Sequence, residues 1–219
     1  MYGSSQETIG KALDTLGYPV NIYSAEKVWT SSTQQGIDQI QLSAEKWGLN
    51  QFDLVQVHNL KNWRGHLETL YGMKEAGRLT HIGVTTSHGR RHGELALVLL
   101  DYPLDFVQLT YNPVDREVEN RLLPVARERD IRVIVNRPFQ RGSLTQYLTG
   151  KRLPALAEAV GASSWAQLIL ACILSHPATT IMIPATTSVS QVLENKAAEK
   201  LPVLTRSQRE DLARTIRKT

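Results

Sequence analysis

The 219-residue sequence predicts a single α/β domain built on parallel strands, and three observations carry that expectation. Short apolar runs alternate with longer stretches in which apolar residues recur at helical spacing, the order of successive strand–helix units. Hydrophobic residues make up 42% and charged residues 21%, a globular balance that argues against disorder or a fibrous repeat. No repeat, linker or low-complexity tract divides residues 1–219, so one domain with a full core is expected.

The chain opens on a helix rather than a strand. Ser4 and Glu7 have the Ser-x-x-Glu spacing of a capping box, Ile9, Leu13 and Leu16 follow at helical spacing, and Gly17 is placed to stop the helix. Six strand candidates come next: "VNIYSAEKV", "FDLVQVH", "THIGVTT", "LDFVQLTY", "IRVIVNRP" and "TTIMIPA". Ile37, Ile40, Ala44 and Trp47 mark the helix after the first of these, and Leu67, Leu70 and Met73 the next, which Gly77 ends. The remaining helices are "ELALVLLD", "VENRLLPVARERD", "PALAEAVG" with "SWAQLILACILSH", "SQVLENKAAEK" and "SQREDLARTIRK". This order fits an open doubly wound sheet or a closed eight-stranded barrel. The lack of Gly-x-Gly-x-x-Gly after the first strand disfavours the dinucleotide-binding open sheet, while the six readable strands are fewer than a closed barrel needs.

Several function classes are set aside by composition. The net charge is +4 and the basic residues are dispersed, with only "GRRHG" and "RKT" locally basic, so a nucleic-acid partner is not expected. Cys172 is the single cysteine and lies in an apolar helical stretch, where it is expected to act as a small buried hydrophobe. No apolar run approaches the roughly 18 residues of a membrane span and no basic-then-apolar leader is present, so a membrane is not expected and the cytoplasm is. The six histidines form no metal-ligand pattern; His88 and His92 have suitable spacing but flank "GRR" and are expected on a solvated surface.

In a barrel the chemistry gathers at the C-terminal ends of the strands. Those positions are polar here: Lys27, His58, Thr85, Thr86, Gln108, Tyr111, Asn112, Asn136, Arg137 and residues 185–188. Lys27 and His58 facing one cavity would be costly to desolvate and would shift each other's pKa, which makes them functional candidates. The plainer reading is a hydrogen-bonded structural histidine and a lysine that reaches solvent. Trp29 and Trp63 are core or line an apolar pocket, whereas Trp47 and Trp165 sit on helical apolar faces and are expected in the core.

The ordered set "YGSSQETIGKAL", "KVW", "FDLVQVHNL", "GRLTHIGVT", "FVQLTYNP", "NRPFQRGSL" and "IPATTSVSQVLENKAA" resembles the aldo/keto reductase superfamily over nearly the whole chain. The resemblance implies a TIM-type (β/α)8 barrel that reduces aldehydes or ketones to alcohols with a nicotinamide cofactor. It implies Tyr2 as general acid, Lys27 as the cation that lowers the tyrosine's pKa and His58 as the residue that orients the carbonyl. The physical logic is direct: a phenol with a pKa of about 10 needs a nearby ammonium to exchange protons near neutrality. The family's paired aspartate stands five residues before the tyrosine, where only Met1 precedes Tyr2. The resemblance therefore implies a barrel lacking its first two strands.

The same resemblance implies a cofactor set. Thr85, Thr86 and Gln108 match residues that hold the nicotinamide carboxamide, and Asn136 falls where many members place a stacking tyrosine. Arg137, Phe139, Arg141, Gly142 and Leu144 match the loop over the pyrophosphate. Thr186, Thr187 and Ser188 lead into a helix start that favours an anion, and Glu194 with Asn195 matches the adenine-binding pair. Gln191 and Ala185 replace residues that are often basic beside a 2′-phosphate. NADP is the expected cofactor, with NAD as the alternative, and a small carbonyl compound the expected substrate. Metal is not expected, and unpaired strand edges make self-association an expectation. The competing reading is a catalytically silent barrel that binds a nicotinamide or serves as a binding or regulatory protein.

Overall fold

The computed structural model describes residues 3–87 and 89–219. The chain divides into two compact units: the first runs to Thr86 and takes in Tyr102–Val107, and the second is Ser87–Asp101 with Gln108–Thr219.

The first unit contains α1 (Ser5–Thr15), β1 (Ala25–Val28), α2 (Thr33–Trp47), β2 (Phe52–Val57), α3 (Trp63–Glu75) and β3 (Leu79–Thr85). The three strands are parallel neighbours, with Val28 opposite Val57 and Val57 opposite Val84. That register brings Lys27, His58 and Thr85 to the same end of the strands. Val28, Leu54, Val55, Val57 and Val84 are wholly buried, as parallel strands covered on both faces require. Ser32 caps α2 by accepting the Gln35 N–H, and Gly48 ends it in the left-handed conformation at φ 63°.

α1 departs from expectation at its start. The Ser4 side chain makes no capping bond, because its backbone (φ −85°, ψ 11°) is not the extended form that aims the hydroxyl at the helix. Glu7 reaches instead to Lys46 on α2, at 3.1 Å. Leu13 is buried but Leu16 is 65% exposed, so the apolar stripe is narrower than its spacing suggests. Where α1 meets α2 the contact is bare backbone: a Cβ on Gly10 would lie 2.0 Å from the carbonyl oxygen of Lys46.

The second unit holds α4 (His92–Asp101), the last three residues of β4 (Phe106–Thr110), α5 (Leu122–Glu128), β5 (Arg132–Asn136), α6 (Ser143–Tyr147), α7 (Ala155–Val160), α8 (Trp165–Leu174), β6 (Thr179–Met182), α9 (Val189–Ala197) and α10 (Arg206–Lys218). β5 and β6 pair in parallel, Val133 opposite Thr179. All six expected strands are present, and α6 is a helix within a stretch read as loop. "VENRLLPVARERD" divides into a 3₁₀ turn (Glu117–Asn120) and α5, parted at Arg121 (φ −145°, ψ −50°). A continuous helix would drive the Pro124 ring into the carbonyl of Asn120, so proline is kept to the first turn of α5.

Cys172 is 3% exposed on α8, and burial pushes its thiol up to about 12, consistent with an inert apolar role. His92 is not a solvated residue: its side chain is 14% exposed and lies 3.3 Å from Glu117. His88 lies outside the described residues. Among the described residues no helix is long and apolar enough to cross a membrane.

Candidate active site

In the first unit, Lys27 is half-buried on β1, and burial lowers its pKa against the opposing pull of the Glu26 carboxylate. His58 follows β2 directly, in a 3₁₀ turn (His58–Leu60). Burial, and then the Lys27 ammonium, drives the His58 pKa down to about 4, so the ring is neutral near pH 7. Thr85, fully buried at the end of β3, places its Oγ1 3.2 Å from His58 Nδ1 and accepts the Asn59 N–H at 3.0 Å. The Thr85 hydroxyl therefore meets both the Asn59 N–H and the His58 ring, and ties the imidazole to the end of β3. Thr86 is 3% exposed beside it.

The turn that carries His58 is held in an unusual backbone. Asn59, Leu60 and Asn62 all have positive φ, at 54°, 52° and 46°. Such conformations persist only where the surroundings impose them. Here the Asn59 N–H bond to Thr85, the buried Leu60 side chain and an Asn62 amide donating to Ser31 O at 3.1 Å do so. Trp29 stands edge-on to His58, ring centres 6.3 Å apart, and is 44% exposed; Trp63 is 6% exposed against Tyr102 and belongs to the core. Trp47 and Trp165 are buried as expected.

In the second unit, Gln108 is buried on β4, and Thr110 donates to Asn136 Oδ1 at 2.7 Å, fixing the amide at the end of β5. Asn112 is fully buried; its Oδ1 accepts the N–H groups of Val114 and Asp115 and its amide reaches Arg137 O at 3.4 Å. Tyr111 is buried and donates to Glu119 at 2.6 Å, a structural bond. Beyond β5 the loop has left-handed residues at Arg137, Gln140 and Arg141.

This loop forms one wall of a cavity of about 660 Å³. Arg137, Phe139, Arg141 and Gly142 meet Ala185, Thr186, Gln191, Glu194 and Asn195 there, nine of the residues singled out in the sequence. Leu144, Thr187 and Ser188 do not line it: Leu144 is buried beneath the loop, Thr187 is exposed, and Ser188 caps α9 by accepting the Gln191 N–H. Burial and the neighbouring Arg141 charge hold the Arg137 guanidinium below its ordinary pKa, so this wall favours an anion. Thr186 donates to Gln191 Oε1, which fixes that amide at the cavity edge. Thr145, Lys151 and Trp165 are among the other lining residues and were not expected; the chain reaches them through α6, whose five residues carry no helical periodicity to find. Tyr2 lies outside the described residues.

The model of the aldo/keto reductase family matches residues 1–216. The chain belongs to the aldo/keto reductase family. An aldo-keto reductase of Bacillus subtilis, YhdN, is 28% identical over 165 residues, covering 68% of this chain and 48% of that protein. The NADH-specific methylglyoxal reductase of Escherichia coli is 28% identical over 136 residues, 56% of this chain and 38% of its own length. The chain thus spans about half the length, or less, of these two curated relatives. Among solved structures, an aldo-keto reductase from Bacillus halodurans in its holo form aligns with a TM-score of 0.76 at 21% identity, over 96% of this chain and 76% of that one. One from Klebsiella pneumoniae, solved with NADP and acetate, gives 0.75 at 20% identity, over 98% and 76%. The fold is that of the aldo/keto reductase TIM barrels, with six of its parallel strands in the described chain.

Proposed function

We propose that this aldo/keto reductase family member reduces small aldehydes or ketones to alcohols with a nicotinamide cofactor, NADPH in the first instance. The observation that carries the reading is the neutral His58, held by Thr85 and electrostatically coupled to the half-buried Lys27. A neutral imidazole donor fixes a carbonyl oxygen without giving up its proton, and a nearby ammonium stabilises the anionic form of a tyrosine. In this reading Tyr2 delivers the proton, Lys27 lowers its pKa and His58 orients the carbonyl. When bound, the nicotinamide supplies the hydride.

The donor set of the second unit fits such a cofactor. Arg137 and Arg141 meet at one cavity wall and suit a pyrophosphate, and Glu194 and Asn195 on the same cavity suit an adenine edge. Thr85, Thr86, Gln108 and Asn136 are assigned to the nicotinamide end, with Leu144, Thr187 and Ser188 supporting the loop and helix start. Gln191 and Ala185 offer no charge to a 2′-phosphate, which leaves NADH as the competing cofactor. The proposal extends to a single barrel domain, a cytoplasmic setting, no metal, no nucleic-acid or membrane partner, and self-association through strand edges.

The test is consumption of NADPH, and separately NADH, by the purified protein with a reactive aromatic aldehyde. Loss of turnover in Tyr2→Phe and Lys27→Met, with cofactor binding kept, supports the assignment. Turnover unaffected by both substitutions overturns it. A second reading, a nicotinamide-binding protein without turnover, is favoured by the cradle lying wholly within the second unit. Cofactor binding by fluorescence with no aldehyde reduction would select it.

A further inference from the structure

Apart from the cradle, the second unit contains another cavity, of about 640 Å³, between the 3₁₀ turn, α5, the turn before β6, and α10. Its lining is strongly cationic: Arg116, Arg127, Arg206 and Arg209 against Glu119 and Glu128. The decisive residue is Arg209. It is 8% exposed, and its Nε and Nη1 are buried with no hydrogen-bond partner among the described residues. A buried guanidinium is tolerated when a counter-charge and acceptors meet it.

The acids of the wall do not fill that role. Glu119 is engaged on both oxygens by Arg116, at 2.8 Å each, and accepts the Tyr111 hydroxyl at 2.6 Å. Burial works to raise its pKa, and these bonds outweigh it and hold the carboxylate charged. Glu128 makes no ion pair among the described residues, and Arg206 is drawn outward to Glu210 at 2.9 Å. His176 adds a donor. Its Nδ1 accepts the Ala178 N–H at 3.2 Å, which puts the proton of the neutral ring on Nε2.

We infer that this cavity is a second ligand site, taking a small oxyanion, a phosphoryl or carboxylate group, on Arg209 with Arg127 and His176. Arg209 lines the cavity with its charge unanswered, Arg127 adds a second guanidinium, and both favour such an anion. The site shares no lining residue with the nicotinamide cradle.

The experiment titrates the 219-residue protein with inorganic phosphate by calorimetry, at ionic strength held constant with potassium chloride, and follows arginine Nε–H signals by NMR. The cofactor cradle also takes phosphate, so the titration is run in Arg137→Gln/Arg141→Gln, where one saturable phosphate site is expected, with one buried arginine Nε–H signal shifting. Arg209→Gln removes it, and the exposed Arg127→Gln weakens it about ten-fold, the scale of one charge-assisted hydrogen bond. Displacement by acetate extends the site to carboxylates, and failure to displace restricts it to phosphoryl groups. In that background, no saturable binding above chloride, or binding that survives Arg209→Gln, overturns the inference. If Arg209→Gln does not fold, Arg127→Gln and the Nε–H signal of the cradle variant decide it.

Discussion

The Thr85 hydroxyl serves two masters: it lies 3.2 Å from His58 Nδ1 and accepts the Asn59 N–H at 3.0 Å. Thr85→Val keeps the shape and removes both bonds. A loss of about 1–3 kcal/mol in stability is expected, together, under the proposed function, with a drop in aldehyde turnover because the ring loses an orienting contact. Thr85→Ser restores both. Thermal denaturation and steady-state kinetics on the two variants check this, and equal kinetics in Val and Ser would remove the orienting role.

Acid should destabilise the protein through the same ring. His58 has a folded pKa of about 4 against an ordinary 6.5, so between those values the unfolded chain binds more protons than the folded one. Stability is therefore full above pH 6.5 and is lost as pH falls toward 4. His176, whose pKa burial and then Arg209 also lower, contributes with the same sign. Melting temperatures across this window should fall less steeply in His58→Gln, with a residual slope from His176.

Lys27 supplies the second cause of the His58 shift, after burial. Lys27→Met should raise the His58 pKa part of the way to 6.5, read from the imidazole NMR signals. An unmoved value would show that the two side chains do not sense each other.

Two helix glycines should respond oppositely to alanine. At Gly10 a methyl group collides with the Lys46 carbonyl of the neighbouring helix, so Gly10→Ala should cost about 1–3 kcal/mol. At Gly72 on α3 nothing lies within 4 Å, and Gly72→Ala should add about 0.5–1 kcal/mol through helix propensity. Denaturant midpoints with unchanged slopes distinguish the two.

Much of this is legible in the sequence, because strands and strand ends are local signals. Lys27, His58 and Thr85 are found by asking which polar residues terminate apolar runs, and the parallel register brings those ends together. What escaped depends on distant partners. Glu7 abandons its expected cap for Lys46, 39 residues away. Leu60 takes a left-handed backbone that a branched apolar side chain does not announce, imposed by its burial beneath the turn. Arg209 sits in a helix dense with charge, and only the packing of α10 reveals that this one guanidinium is enclosed.

Trp29 gives the protein a built-in optical probe. Three of its four tryptophans are sealed, at 6%, 6% and 8% exposure, while Trp29 is 44% exposed, edge-on to His58 and 5.0 Å beneath the Lys61 ammonium. A collisional quencher such as acrylamide therefore reads this indole ahead of the three buried ones. Protonation of the imidazole, or a molecule settling over it, becomes visible as a change in emission without any label or any turnover.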